Sequence, residues 1–232
     1  MTQKSSPLII TLDGPSGSGK STVAHRLAEY FKVPCLDTGA MYRRIALQCL
    51  REGLALDRES DVLQVASRFS FRFRREANQA IVEASDKSEA FQTIGKEIRT
   101  PEVSMAASQI AKLKSVRQRL VSEQQRIGQE HGAVVEGRDA GTVIFPTAKF
   151  KFFLTASSEE RAKRRHRELS EKLEGQVPTQ EEVLKEMIQR DAQDSGRVES
   201  PLKPAEDAVM VDTSGRNLDE VFEILVKTIE RA

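Results

Sequence analysis

The residues best suited to chemistry in this sequence form Gly14-Pro15-Ser16-Gly17-Ser18-Gly19-Lys20-Ser21-Thr22, which fits the pattern G-x-x-x-x-G-K-[ST]. Glycines at these positions let successive backbone N–H groups turn toward one point, and a helix N-terminus behind them adds a partial positive charge. Lys20 supplies a full positive charge for β- and γ-phosphate oxygens, and the Ser21 hydroxyl can ligate Mg²⁺. Three further segments carry polar groups of the same character. Asp37-Thr38-Gly39-Ala40-Met41-Tyr42-Arg43 puts a carboxylate, a hydroxyl, a phenol and a guanidinium into one short stretch. Glu136-Gly137-Arg138-Asp139 offers a carboxylate for Mg²⁺, held through water, and a guanidinium for a phosphate. Arg190, Asp194 and Arg197 are spaced by four and three, as on one helical face. Taken alone, this last segment reads as a salt-bridged surface.

These groups need elements that bring them together. Leu8–Leu12 is apolar and β-branched and reads as a buried strand, and Val23, Ala24, Leu27, Ala28 and Phe31 follow with helical spacing. Val33–Leu36, Ala133–Val135, Phe150–Leu154 and Ala208–Val211 read as further strands, with helical patterns between them. That alternation predicts an α/β fold with a mostly parallel sheet, in which ligands gather at the carboxyl ends of the strands. Asp37 and Glu136 lie at two such ends. An alternative for Asp37 or Thr38 is a helix N-cap. The middle departs from this rhythm. Phe69, Phe71 and Phe73 alternate with Ser70, Arg72 and Arg74, Asn78-Gln79 follows, and Ala80–Glu83 completes a predicted hairpin, so that 60–115 reads as an insertion. After Leu154, Ser157-Ser158-Glu159-Glu160 predicts a capping box for a basic helix that includes Arg161. Thr179-x-x-Glu182 predicts another, beyond the joint Gly175-Gln176-Val177-Pro178. In a phosphate-loop chain, this basic helix is expected to be a mobile lid over ATP.

Composition narrows the function classes. The chain has 232 residues, 36 Lys+Arg against 35 Asp+Glu, and a formal net charge of +1. Such a balance calls for no nucleic-acid or membrane partner. The alternating arginines therefore read as a solvated strand face rather than an RNA platform. No apolar run reaches membrane-spanning length, and MTQKSSP lacks a signal peptide's apolar core, so a cytoplasmic protein is expected. Cys35 and Cys49 are too few for a zinc site or a disulfide framework, and His25, His131 and His166 are scattered. A GTPase-type switch would carry N-K-x-D, which the sequence lacks.

In order and spacing, GPSGSGKST, LDTGAMYR, EGRDAGTVIFP, FLTASSEERAKRR and RDAQDSGR resemble the bacterial cytidylate kinases, part of the nucleoside monophosphate kinase family, over nearly the whole chain. The resemblance implies a phosphate-loop kinase fold with a five-stranded parallel sheet flanked by helices. It also implies a monophosphate-binding insertion at 60–115, a short lid at 157–197, and transfer of the γ-phosphoryl of ATP to CMP or dCMP with Mg²⁺. Gly14 to Thr22 and Arg161 would hold ATP. Asp37, Thr38, Tyr42 and Arg43 would line the CMP site, with Arg43 at its phosphate. Ser108 and Arg117 would help to read cytosine, Arg138 would bind the CMP phosphate, and Asp139 would accept from the cytosine amine. Arg190 and Asp194 would reach the ribose, and Arg197 a phosphate. Lys20, Arg138, Arg190 and Arg197 would carry catalysis, and Ser21 and Glu136 would hold Mg²⁺. Glu136 stands where many members carry aspartate, and Thr38 where some carry serine. A kinase for UMP or shikimate would need other acceptor residues. The expected partners are ATP, CMP and dCMP, with no nucleic acid and no membrane, and the expected state is a monomer.

Overall fold

A computed structural model describes residues 7–76, 79–86, 90–172 and 177–231. The predicted turn residue Asn78, the joint residues Gly175 and Gln176, and the first six residues lie outside that description. Strands β1 (Ile9–Asp13), β2 (Cys35–Asp37), β6 (Ala133–Gly137), β7 (Phe150–Thr155) and β8 (Val209–Asp212) form one sheet in the order β2-β6-β1-β7-β8. Every pairing in it is parallel. The register sets Asp13 opposite Gly137 and Glu136 opposite Asp37, so the polar residues of three strands end side by side.

Helices cover both faces because successive strand side chains point to opposite sides. Ile10, Leu12, Val134, Phe152 and Leu154 pack with Val23 and Leu27 of α1 (Lys20–Phe31) and Val221 and Leu225 of α8 (Leu218–Glu230). Leu36, Ala133 and Val135 face the other way. They pack with Met41 and Ile45 of α2 (Thr38–Arg51), Val62 and Val65 of α3 (Glu59–Arg68), Ile110 of α4 (Pro101–Ile110) and Leu120 of α5 (Lys114–His131).

The predicted hairpin is present as β3 (Phe69–Glu76) and β4 (Gln79–Asp86), paired antiparallel with Phe69 opposite Asp86. A two-residue strand, β5 (Gln92–Thr93), extends it to a three-stranded sheet. Phe69 and Phe71 are buried in the same apolar cluster as Leu36 and Ile144, so this smaller sheet shares its core with the larger one. On the other face, Arg72 and Arg74 each donate to Glu83, at 2.9 and 2.7 Å. That pairing answers the alternation of arginines with intramolecular ion pairs.

Helices α6 (Ser158–Lys172) and α7 (Gln180–Ser195) pack together through Ala162, Val183 and Met187. Thr179 and Glu182 make the full capping box expected of them. At α6 only half of the predicted box forms. Ser157 Oγ accepts from the Glu160 N–H at 3.2 Å, but the Ser157 N–H donates to Ser214 Oγ, and Glu160 accepts from Arg164 instead. The turn after β8 thus takes the place of the local partner. Among the described residues, no helix is long and apolar enough to cross a membrane.

Candidate active site

The phosphate loop leaves β1 at Gly14, whose φ of +145° only glycine adopts readily and where a Cβ would stand 2.0 Å from the Leu154 carbonyl oxygen. It enters α1 at Gly19, and no side chain caps the first turn of that helix. Its leading N–H groups therefore point into the loop as donors for an anion. Lys20 is buried and folds over the loop, donating to the Pro15 carbonyl at 2.6 Å and to Ser18 Oγ at 3.3 Å. Burial and the nearby Arg138 push its pKa down, against the pull of Glu136 and Asp13.

Ser21 Oγ donates to Glu136 Oε2 at 2.7 Å, which joins the loop to the end of β6. Burial and the neighbouring Asp37 push the Glu136 carboxyl up, and the Ser21 bond and Lys20 oppose them. Thr38 Oγ1 donates to the Glu136 carbonyl at 2.8 Å. Asp37 is the N-cap of α2 and also pairs with Arg43, its two oxygens accepting from the Ala40 N–H and from Arg43 Nη2, each at 2.8 Å. Hydroxyl and carboxylate oxygens are the hard donors that Mg²⁺ prefers, and a set this small suits an ion that keeps several waters and takes the rest of its shell from phosphate. The residues present thus fit Mg²⁺ bound with a nucleotide.

Asp194 forms the centre of an arginine cluster. Its side chain is only 2% exposed, accepts from Arg138 Nε at 3.0 Å, and forms an ion pair with Arg197. Arg197 also donates to Ser108 Oγ at 3.2 Å. Burial would raise the Asp194 pKa, but Arg138, Arg197 and Arg190 hold it below the ordinary carboxylate value. Arg190 is pushed down to about 10 by burial and by the like charge of Arg138. The solvated-face reading of this segment therefore fails. The helical spacing also stops short: α7 ends at Ser195, so Arg197 lies beyond it and reaches Asp194 from the turn.

Beside this cluster, Arg117 of α5 pairs with Asp139, both buried, and donates to the Ala111 carbonyl at 3.1 Å. The guanidinium carbon of Arg117 lies 5.8 Å from the ring centre of Tyr42. Burial pushes the Tyr42 phenol well above its ordinary value. Arg161 of α6 lies on the phosphate loop, donating to the Ser16 carbonyl at 3.0 Å and to Asp191 Oδ2 at 2.5 Å. Among the residues expected at the site, hydrogen bonds and ion pairs thus link Ser21 with Glu136, Asp37 with Arg43, Asp194 with Arg138 and Arg197, Arg197 with Ser108, Arg117 with Asp139, and Arg161 with the phosphate loop. The Nε atoms of Arg43, Arg117, Arg190 and Arg197 and the Tyr42 hydroxyl are buried without a hydrogen-bond partner. Buried donors left unpaired cost about 1–3 kcal/mol each, more when charged. Such donors suit an oxygen-rich anion.

Sequence reasoning missed Asp13. It closes β1 one residue before the loop, is 3% exposed, and accepts from the N–H groups of Ala140 and Gly141 at 2.8 and 2.7 Å. Burial pushes its pKa up to about 6, and the two amides oppose that shift. The available signal was a carboxylate at the carboxyl end of a buried strand, directly ahead of a glycine loop.

The sequence profile of the cytidylate kinase family matches residues 10–231. A cytidylate kinase of Syntrophotalea carbinolica is 43% identical over 224 residues, covering 96% of this chain and 92% of its own. One from Clostridioides difficile is 42% identical over 222 residues, covering 96% and 98%. A crystal structure of an uncharacterized protein from Eubacterium ventriosum superposes with a TM-score of 0.51 at 12% identity, covering 97% of this chain and 99% of that one, a likeness of fold alone.

Proposed function

The chain belongs to the cytidylate kinase family, and from that premise we propose how its own residues serve the family's reaction, transfer of the γ-phosphoryl of ATP to CMP or dCMP to give ADP and CDP or dCDP. The observation that carries the assignment is the set of buried, unpartnered guanidinium Nε atoms on Arg43, Arg117, Arg190 and Arg197, together with the buried Asp194 that pairs with Arg138 and Arg197.

The donor half is the loop from Gly14 to Thr22 with Arg161 of the lid, 157–197. The acceptor half is Asp37, Thr38, Tyr42, Arg43, Ser108, Arg117, Arg138, Asp139, Arg190, Asp194 and Arg197, with 60–115 as the monophosphate-binding insertion. The attacking atom is a CMP phosphate oxygen, whose second proton leaves near pH ~6, so no strong base is needed. Catalysis is then alignment and charge neutralisation by Lys20, Arg138, Arg190 and Arg197. Ser21 and Glu136 would hold Mg²⁺, which when bound neutralises phosphate charge. Arg117 and Asp139 together read the base: Asp139 accepts from the cytosine amine, and the same carboxylate repels the O4 of uracil. Packing of α6 and α7 over the loop would exclude water, which otherwise hydrolyses ATP. A monomer working in the cytoplasm fits this reading, because one chain supplies all of these groups and both substrates are soluble nucleotides.

Calorimetric titration with CMP tests the acceptor half. Arg138→Ala and Arg197→Ala should each weaken CMP at least about tenfold, the effect of losing one charge-assisted contact. Unchanged affinity in both would remove the arginine cluster from the site.

A further inference from the structure

Asp13 is a buried carboxylate to which phosphoryl transfer gives no part. Its two oxygens are divided between two successive amides: Oδ1 accepts from Ala140 and Oδ2 from Gly141. Those amides directly follow Arg138 and Asp139, and they open the single π-helical turn Ala140–Ile144. No side chain of the turn caps them, so Asp13 is what satisfies them. The turn sits hard against β1. A Cβ placed on Gly141 would lie 2.9 Å from Thr11 Oγ1 and 3.4 Å from Asp13 Oδ2. On its other side, Asp13 is joined covalently to Gly14, the first residue of the phosphate loop.

We infer that Asp13 is a positioning residue for the acceptor nucleotide, forking onto the Ala140 and Gly141 amides so that Arg138 and Asp139 are held in one frame with the phosphate loop. This inference rests on placing Arg138 and Asp139 at the CMP site. A two-point clamp fixes direction as well as distance, and a base reader or a phosphate fork loses its effect with displacements of about 1 Å. Both Asp13 oxygens are engaged by the Ala140 and Gly141 amides, so its contribution should appear as selective loss at the acceptor side. A carboxylate that merely stapled the turn to the sheet would lower stability and treat both nucleotides alike.

The test is calorimetry on Asp13→Asn, which keeps the side-chain volume but sets an amide N–H₂ against one backbone N–H. CMP alone and a non-hydrolysable ATP analogue with Mg²⁺ alone are titrated into the same folded sample, so that the ratio of the two dissociation constants is independent of the folded fraction. The Kd for CMP should rise about tenfold or more and that for the ATP analogue by no more than about twofold. If Asp13→Asn yields no folded protein, Gly141→Ala, which presses the turn away from Thr11 and Asp13, is read by the same ratio. Asp139→Ala is run beside them. If it leaves CMP binding unchanged, the acceptor-site assignment fails and this inference falls with it. If it weakens CMP while the Asp13 variant shifts both nucleotides equally or neither, the assignment stands and the positioning role of Asp13 is overturned.

Discussion

Asp194→Ala is the sharpest perturbation of the arginine cluster. The carboxylate is 2% exposed and holds Arg138 Nε at 3.0 Å together with Arg197, with Arg190 close by. Each hydrogen bond to a charged partner is worth about 1.5–3 kcal/mol, and removing one member of a buried ion pair costs about 3–5 kcal/mol because the other charge is stranded. The two bonds share one carboxylate and are not additive, so a loss of about 4 kcal/mol is expected. For a chain of this size that lowers Tm by roughly 8–16 °C. Urea unfolding of the wild type and the variant at pH 7 measures it. Because the folded-state pKa of Asp194 is depressed, its stabilisation is complete above the ordinary carboxylate value and is lost as pH falls through the depressed one. The gap between wild type and Asp194→Asn should therefore be level from neutral pH down to about 4 and close below that. In steady-state kinetics the KM for CMP should rise more than the KM for ATP. A loss under about 1 kcal/mol with both KM values unchanged would return Arg190, Asp194 and Arg197 to a solvated surface and refute the reasoning.

Lys20→Ala should lower kcat by orders of magnitude with an unchanged circular dichroism spectrum, since its charge matters most as the phosphoryl moves; a near-normal kcat would take the loop out of catalysis. Asp139→Asn should raise kcat/KM for UMP relative to CMP by at least about tenfold, and an unmoved ratio would show that Asp139 does not read the base. Asp13 should leave a signature of opposite sign to Asp194. Its folded-state pKa is raised to about 6, so the wild type should lose roughly 3 kcal/mol relative to Asp13→Asn as pH climbs from about 4 to about 6. Urea unfolding at both pH values checks this, and a constant difference would mean that the carboxylate is not held in a desolvated site.

The elements that were legible in the sequence are those whose signals are local. The phosphate loop, the five strands of the main sheet and the hairpin at Phe69–Glu83 all announce themselves by glycine spacing or by apolar period. Glu136 was legible because it ends a buried strand, and the structure joins it to Ser21. The family resemblance supplied Ser108 and Arg117, which no spacing on the chain connects to Asp139 or Arg197. What remained hidden depends on packing. Spacing alone made Arg190, Asp194 and Arg197 a surface face; their burial comes from elements distant in sequence, with Arg138 at the end of β6 and Ser108 on α4. The Ser157 box was half right because Ser214, 57 residues away, competes for its N–H. β5 is two polar residues long and shows no period. Asp13 went unseen because a lone carboxylate before a glycine loop has the look of ordinary loop polarity, whereas its role is set by amides 127 and 128 residues further on.

The most direct measurement is ADP release, followed in a coupled assay with ATP and Mg²⁺, across CMP, dCMP, UMP, AMP and shikimate. The acceptor site proposed around Asp139, Arg117 and the arginine cluster predicts turnover with CMP and dCMP, and kcat/KM for UMP lower by at least about tenfold, the discrimination that one base contact supplies. Equal or faster turnover with UMP, AMP or shikimate, or ADP release independent of any acceptor, would contradict it.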